Sequence, residues 1–306
     1  MDTLNSPALA QRLFTENVIP QLVAWRTANI PCALVTLVAI DGSSPRRLGS
    51  QMAVNANGDY LGYISSGCAE SAIVAEAIDA INHATNRTIR YSAGSKYIDV
   101  VLPCGSGIDV HFDATIQTSS LQHLATQIAA RRPASLTIDL AIGDSPTQFT
   151  RAYDPAPRII VAGRGINVDF VARFAHDLEW DIVVASPDQQ TLARLTPIAR
   201  AHHLTKPADF DPALIDARTA VVLVFHDHEW EPAILARCAS SPAFYVGALG
   251  SRRTHAQRRD LLAMSGVPAT FIDTIHSPIG LNLGAKNPAE IALAIIAEIL
   301  SLSPPT

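Results

Sequence analysis

Cysteine is scarce. Cys32, Cys68, Cys104 and Cys238 are scattered through 306 residues with no C-x-x-C pair. That excludes a disulfide framework and predicts a reduced, cytoplasmic chain. Charge is sparse too, at 17% of residues, and its balance is acidic, with a net charge of −5 and a pI near 6.0. A basic surface for nucleic acid is therefore not expected. No run of about 18 apolar residues occurs, so no membrane span is expected. Met1-Asp2-Thr3-Leu4 lacks a basic stretch followed by an apolar one, so no secretion signal is expected. What is plentiful is apolar: 48% of the residues, over a length comfortable for two globular domains.

The N-terminal part reads as α+β. A helix is predicted from Pro7 to Ala28, kinked or split by Pro20. Cys32 to Ile40 is an apolar, β-branched run and reads as a buried strand. Asn57-Gly58 marks a hairpin, because both residues tolerate positive φ. Ser65-Ser66-Gly67 leads into a helix to about Ala84, and strands follow near Thr88–Tyr91, Tyr97–Leu102 and Ile108–Phe112. A helix near Leu121–Arg131 and a β segment near Ala134–Leu140 reach the proline-rich joint Asp154-Pro155-Ala156-Pro157. The domain boundary is placed there, giving an N-terminal domain over 1–156 and a C-terminal one over 157–306.

Past the joint the rhythm changes to strands alternating with helices, the pattern of a doubly wound parallel sheet. Strands are predicted near Arg158–Ala162, Asp181–Ala185, Ala220–Phe225 and Ala243–Val246. Asn287, Pro288 and Glu290 form a helix start, with Ile291, Ile295 and Leu300 on one side of that helix.

Gly163-Arg164-Gly165 follows a strand and opens a helix, as a dinucleotide turn does. Val168 holds the third glycine position, which predicts looser helix–strand packing. The acid expected about 20 residues on is missing. Ser186 stands in its place and Asp188 comes two residues late. NAD is therefore not expected to bind well, whereas Arg164 would suit the 2′-phosphate of NADP. A plain fold turn with no nucleotide is the equal alternative.

Cys68 lies at a predicted helix start, where the helix end favours thiolate and Glu70 opposes it. Cys104 sits among small residues in Pro103-Cys104-Gly105-Ser106-Gly107, where a bulky ligand can approach its sulfur. Cys32 and Cys238 read as small buried hydrophobes. His226 and His228 follow a buried strand, at the end where open α/β sheets carry their sites; a hydrogen-bonded loop is the alternative. Two histidines alone make a weak metal signal, and no metal site is assigned. Ser251-Arg252-Arg253 follows a second glycine turn and opens a helix containing Arg258 and Arg259, which suits a phosphate or leaves a solvated basic face. Arg46-Arg47 is a less specific phosphate candidate.

Six segments taken in order resemble the xanthine dehydrogenase accessory protein family, XdhC/CoxI. They are Gly42-Ser43-Ser44-Pro45-Arg46, Ile64 to Glu70, Cys104-Gly105-Ser106-Gly107, His226-Asp227-His228, Gly247 to Arg253, and Pro278 to Ala285. The resemblance spans nearly the whole chain. It implies a small N-terminal domain, a Rossmann C-terminal domain and a tendency to form homodimers. It also implies binding of molybdenum cofactor during its sulfuration, with a cysteine desulfurase as a partner, and delivery to an apo-hydroxylase. Cys104, with Cys68 in reserve, would then handle sulfur, and Arg252 and Arg253 the cofactor phosphate. Arg164, Ile166, Asn167, Val168 and Ser186 depart from the family's usual turn, which puts dinucleotide binding in doubt rather than the fold. Two other functions stay open: an NADP-linked oxidoreductase and a non-catalytic interaction protein. The resemblance implies a cofactor-binding accessory protein rather than a stand-alone enzyme.

Overall fold

A computed structural model describes residues 15–65, 67, 69–92, 107–142, 145–225 and 229–304. The chain divides into two compact units, Met1–Pro155 and Ala156–Thr306.

In the first unit, α1 (Ile19–Thr27) precedes β1 (Cys32–Asp41), β2 (Gln51–Asn55), β3 (Tyr60–Gly62) and α2 (Glu70–His83). Then come β4 (Arg87–Tyr91), β5 (Gly107–Asp113), α3 (Thr118–Ala129) and the hairpin β6 (Ala134–Ile142) and β7 (Ser145–Tyr153). The sheet order is β3-β2-β1-β5-β4, with every pairing antiparallel. Alternate residues of β1 point to opposite faces. Val35 and Leu37 pack with Ile73 and Ala77 of α2. Cys32 and Leu34 pack with Leu22 of α1, Leu121 of α3 and Tyr153 of β7.

Several expectations need correction here. Pro20 does not kink a long helix; it sits in the first turn of α1, where its missing N–H costs nothing, and Thr15–Val18 is not helical. Residues 7–14 of that predicted helix, and the strand predicted at Tyr97–Leu102, lie outside the described residues. The β6–β7 pairing was not anticipated, because the polar run of β7 lacks an apolar period. The Asn57-Gly58 turn is present, with Gly58 at φ +86°. Asn55 Oδ1 braces it by accepting from the N–H groups of Asn57 and Asp59 at 2.9 and 3.0 Å.

The second unit runs β8 (Arg158–Gly163), α4 (Ile166–Asp177), β9 (Asp181–Ser186), α5 (Gln189–Leu195) and β10 (Arg200–His203), then β11 (Thr219–Val224) and α6 (Glu231–Cys238). It ends with β12 (Tyr245–Ala248), α7 (Arg252–Met264), α8 (Ala269–Ile272) and α9 (Pro288–Leu302). The order β10-β9-β8-β11-β12 is parallel throughout, so the strand order reverses between β8 and β11. This is the Rossmann-type doubly wound sheet. Ile159 and Val161 face α4, α5 and α9, whereas Ile160 and Ala162 face α6, α7 and α8. Burial on both faces explains why these strands read as continuous apolar runs.

The capping box of Asn287 and Glu290 opens α9 as expected. Leu300 does not join its buried face. Ile291, Ile295 and Ile299 make the i, i+4 series instead, and Leu300 is exposed. Edge strand β10 escaped notice in the sequence because Arg200-Ala201-His202-His203 has no apolar period.

Candidate functional site

The C-terminal edge of the parallel sheet, around the strand-order reversal, is where such folds bind ligands. Three chain segments leave it after β8, β11 and β12.

After β8, Gly163 is forced by close approach, since a Cβ there would lie 2.9 Å from the Val224 carbonyl oxygen. Gly165 caps α4 at φ +80°, a conformation open to glycine. Val168 is fully buried in the core, so it fills the space under the turn rather than loosening it. The Gly165 N–H donates to Thr191 Oγ1 at 3.1 Å. The Thr191 hydroxyl in turn donates to Asp188 Oδ2 at 2.6 Å. Asp188 also accepts from the N–H groups of Gln190 and Thr191 and caps α5. The Thr191 hydroxyl, with these N–H groups, holds the Asp188 carboxyl below the usual carboxylate range. Ser186 is buried, and its Oγ accepts from the Asp188 N–H at 3.1 Å. Asp188 therefore serves as the cap of α5. Arg164 is exposed beside this closed turn.

After β11, Phe225 stacks on Trp230 at 5.8 Å between ring centroids. His226 and His228 lie outside the described residues. After β12, Leu249-Gly250 leads to Ser251, whose Oγ accepts from the Thr254 N–H at 3.2 Å and caps α7. Arg252 and Arg253 are exposed in the first turn of α7, which holds no acidic residue. The expected helix start, hydroxyl and arginine pair are thus together at one sheet edge. The expected basic face is smaller than the sequence suggested. Arg258 is buried against Glu231, and Arg259 pairs with Asp273 at 2.6 Å. His255, one turn into α7, has its pKa lowered by burial and by the charges of Arg258 and Arg259, so it adds no charge at neutral pH.

In the first unit, Arg46 is half-buried and paired with Glu16 at 2.8 Å, so its guanidinium already holds a carboxylate. Cys68 and Cys104 lie outside the described residues. Glu70, expected to oppose a thiolate at Cys68, has its carboxylate engaged by the backbone before α2. It is buried and accepts from the N–H groups of Ile64, Ser65 and Gly67 and from the Ser65 hydroxyl, at 2.6–3.1 Å. Burial works against this carboxylate, but the Ser65 hydroxyl and the N–H groups of Ser65 and Gly67 outweigh it and lower its pKa. Cys32 and Cys238 are buried free thiols, and burial pushes Cys238 up to about 12.

Sequence reasoning missed Thr191, Glu231 and the structural role of Arg258. The start of α5 offered a signal, since Asp188 stands three residues before Thr191 like an N-cap. The partnership of Arg258 and Glu231 crosses 27 residues and left none. Among the described residues, no group of three or more His, Cys, Asp or Glu is placed to hold a metal ion, and no helix is long and apolar enough to cross a membrane.

Comparison with known proteins matches residues 159–299 to the XdhC Rossmann domain and residues 25–92 to the XdhC and CoxI family. The chain is 31% identical over 281 residues to the molybdenum cofactor insertion chaperone PaoD of Escherichia coli (strain K12), covering 88% of this chain and 82% of that protein. A probable xanthine dehydrogenase subunit of Bacillus subtilis (strain 168) is 23% identical over 319 residues, covering 87% of this chain and 92% of that one. A crystal structure of a xanthine dehydrogenase from Bacillus halodurans superposes with a TM-score of 0.77 at 23% identity, over 93% of this chain and 95% of that one, which shows a shared fold. With the extended identity to PaoD and both domain matches in their expected order, the chain belongs to the XdhC and CoxI family.

Proposed function

We propose that this chain binds molybdenum cofactor as cargo and delivers it to a molybdenum hydroxylase of the xanthine dehydrogenase type, as a chaperone rather than a stand-alone enzyme. The observation that carries this reading is the 31% identity, over 88% of the chain, to a protein named for molybdenum cofactor insertion. The chemistry of the α7 start agrees with it. Molybdopterin ends in a phosphate, and its dinucleotide forms carry a pyrophosphate. A capped helix start with exposed Arg252 and Arg253 and no acid in its first turn offers N–H donors and fixed positive charge to such a group. In this reading Cys104 handles sulfur, with Cys68 in reserve, and His226 and His228 face the pterin or its metal. The partners are a cytoplasmic apo-hydroxylase, a cysteine desulfurase and a second copy of the chain. Nicotinamide dinucleotides, NADP included, play no part in it. The closed turn after β8 supports leaving them out.

The test is retention of molybdenum cofactor by the purified chain, followed by pterin spectra and metal analysis. Wild type should retain it. Arg252→Ala or Arg253→Ala should weaken binding by roughly ten- to a hundred-fold, the loss of one charge-assisted contact, and less so at high salt. Cys104→Ala should abolish retention with the fold intact. If wild type holds no cofactor, the reading fails. If both arginine variants bind as wild type at low salt, the α7 start is a solvated face and the cofactor sits elsewhere.

A further inference from the structure

Arg258 and Glu231 form an ion pair with side chains only 2% and 1% exposed. A buried pair of this kind is weak evidence for stability, because apolar side chains of similar volume often serve a fold as well or better. Its connections suggest another purpose. Arg258 Nη2 donates to Glu231 Oε2 at 2.8 Å and to the Leu249 carbonyl at 2.7 Å. Arg258 Nη1 donates to Ser277 Oγ at 3.0 Å. One guanidinium thus ties three stretches of chain. Glu231 opens α6, three residues after His228 in sequence. Leu249 belongs to the turn that feeds Ser251, Arg252 and Arg253. Ser277 lies in a stretch that runs alongside β12, where the His276 N–H donates to the Val246 carbonyl and the His276 carbonyl accepts from the Ala248 N–H. The turn also rests on the guanidinium directly, since a Cβ on Gly250 would lie 3.2 Å from Arg258 Nη2.

We propose that Arg258 is a positioning residue: from beneath, it fixes the turn that presents Ser251, Arg252 and Arg253 relative to the start of α6 and to the Ser277 stretch, so that the ligand-binding edge is formed before the ligand arrives. The role of that edge in holding cofactor rests on the function proposed above; the positioning itself does not. Arg258 is buried under the turn, and its guanidinium is engaged by Glu231, Leu249 and Ser277. Its planar fork reaches three partners at once, which a lysine ammonium on a flexible stem does not reproduce. Groups that hold a binding side chain in place are as necessary as the side chain itself.

Two variants and two readouts test this. Arg258→Met combined with Glu231→Leu replaces the pair with apolar bulk, so the unit should still fold, yet the ties to Leu249 and Ser277 are gone. Ser277→Ala removes one tie and leaves the pair intact. The first readout is affinity for molybdenum cofactor released from a purified molybdenum hydroxylase. We expect at least a tenfold loss in the double variant and a several-fold loss in Ser277→Ala, with Tm close to wild type in the latter. The second is amide hydrogen exchange over 249–254, which should speed up in both variants without cofactor. If the double variant fails to fold, Ser277→Ala decides on both readouts. Unchanged exchange over 249–254 in a folded variant overturns the proposal, as does unchanged affinity where wild type binds. Failure of wild type to bind cofactor overturns the function proposed above, and the exchange readout then decides the positioning role alone.

Discussion

Two glycine turns lie at the same edge of the second unit's sheet, and they are held in opposite ways. The turn after β8 carries the motif, with Gly163 and Gly165 spaced as in a dinucleotide site. The protein has nevertheless filled it from the side: the Gly165 N–H goes to Thr191, and the Thr191 hydroxyl to Asp188. The turn after β12 carries a weaker motif. It is propped from below by Arg258, and its outer surface is left to Ser251, Arg252 and Arg253. The difference separates two uses of one local geometry. A strand, a glycine turn and a helix always create N–H donors at a helix end. Whether those donors serve a ligand depends on what the next elements bring to them. Here α5 brings a hydroxyl that consumes one, whereas α7 brings exposed guanidinium groups that add to the others.

The largest expected effect comes from removing the prop. Arg258→Ala removes the cation that pairs with the buried Glu231 carboxylate, which should cost about 3–5 kcal/mol. Thermal unfolding should show it as a fall in Tm of roughly 10 °C or more for a unit of this size. A Tm within about 2 °C of wild type would mean that water reaches Glu231 and that the second turn is not propped as described.

The closed turn should cost less to open. Thr191→Val keeps the shape but removes the acceptor of the part-buried Gly165 N–H, and the loss of an ordinary hydrogen bond costs about 0.5–1.5 kcal/mol. Thr191→Ser should restore most of that loss, since it returns the hydroxyl. Calorimetry on wild type sharpens the same point. NAD and NADP should both bind no tighter than the millimolar range, because Gly165 and Asp188 are already occupied and Ser186 offers no charge. Micromolar binding of either nucleotide would show that the turn opens readily, and the contrast between the turns would disappear.

The comparison also shows where the sequence was legible. The fold was readable because Ile159 to Ala162 and Ala220 to Val224 are apolar on both faces, which only a sheet covered on both sides explains. The α9 start was readable because Asn287, Pro288 and Glu290 act locally, within one turn. The same holds for the cap by Ser251. Closure of the first turn was not readable, because it depends on a hydroxyl 26 residues from Gly165 whose value lies only in where α5 places it. The buried role of Arg258 was hidden for the same reason. Among Arg252, Arg253, Arg258 and Arg259 the sequence shows four like charges, and only packing sorts one of them inward. β10 and β7 went unseen because edge and hairpin strands with polar faces lack the apolar period on which strand prediction relies.

The smallest effect concerns acid, and it distinguishes the two turns by their chemistry. Closure of the first turn rests on the Asp188 carboxylate, whose pKa the Thr191 hydroxyl and the neighbouring N–H groups hold low in the folded chain. An unfolded aspartate titrates near 3.9. A group with a depressed folded value contributes its stability fully above the unfolded pKa and loses it as pH falls through the folded one. The stability difference between wild type and Asp188→Asn should therefore be constant from about pH 8 to pH 5. It should shrink only below about pH 4, as the wild-type carboxylate takes up a proton and its hold on Thr191 weakens. Denaturant unfolding of both proteins over that range measures it. Because Asp188 lies at the surface, the limb should be shallow and should flatten further in high salt. A difference that instead changes between pH 6 and pH 8 would assign the closure to another group, and the first turn would be held by something other than the Asp188–Thr191–Gly165 chain.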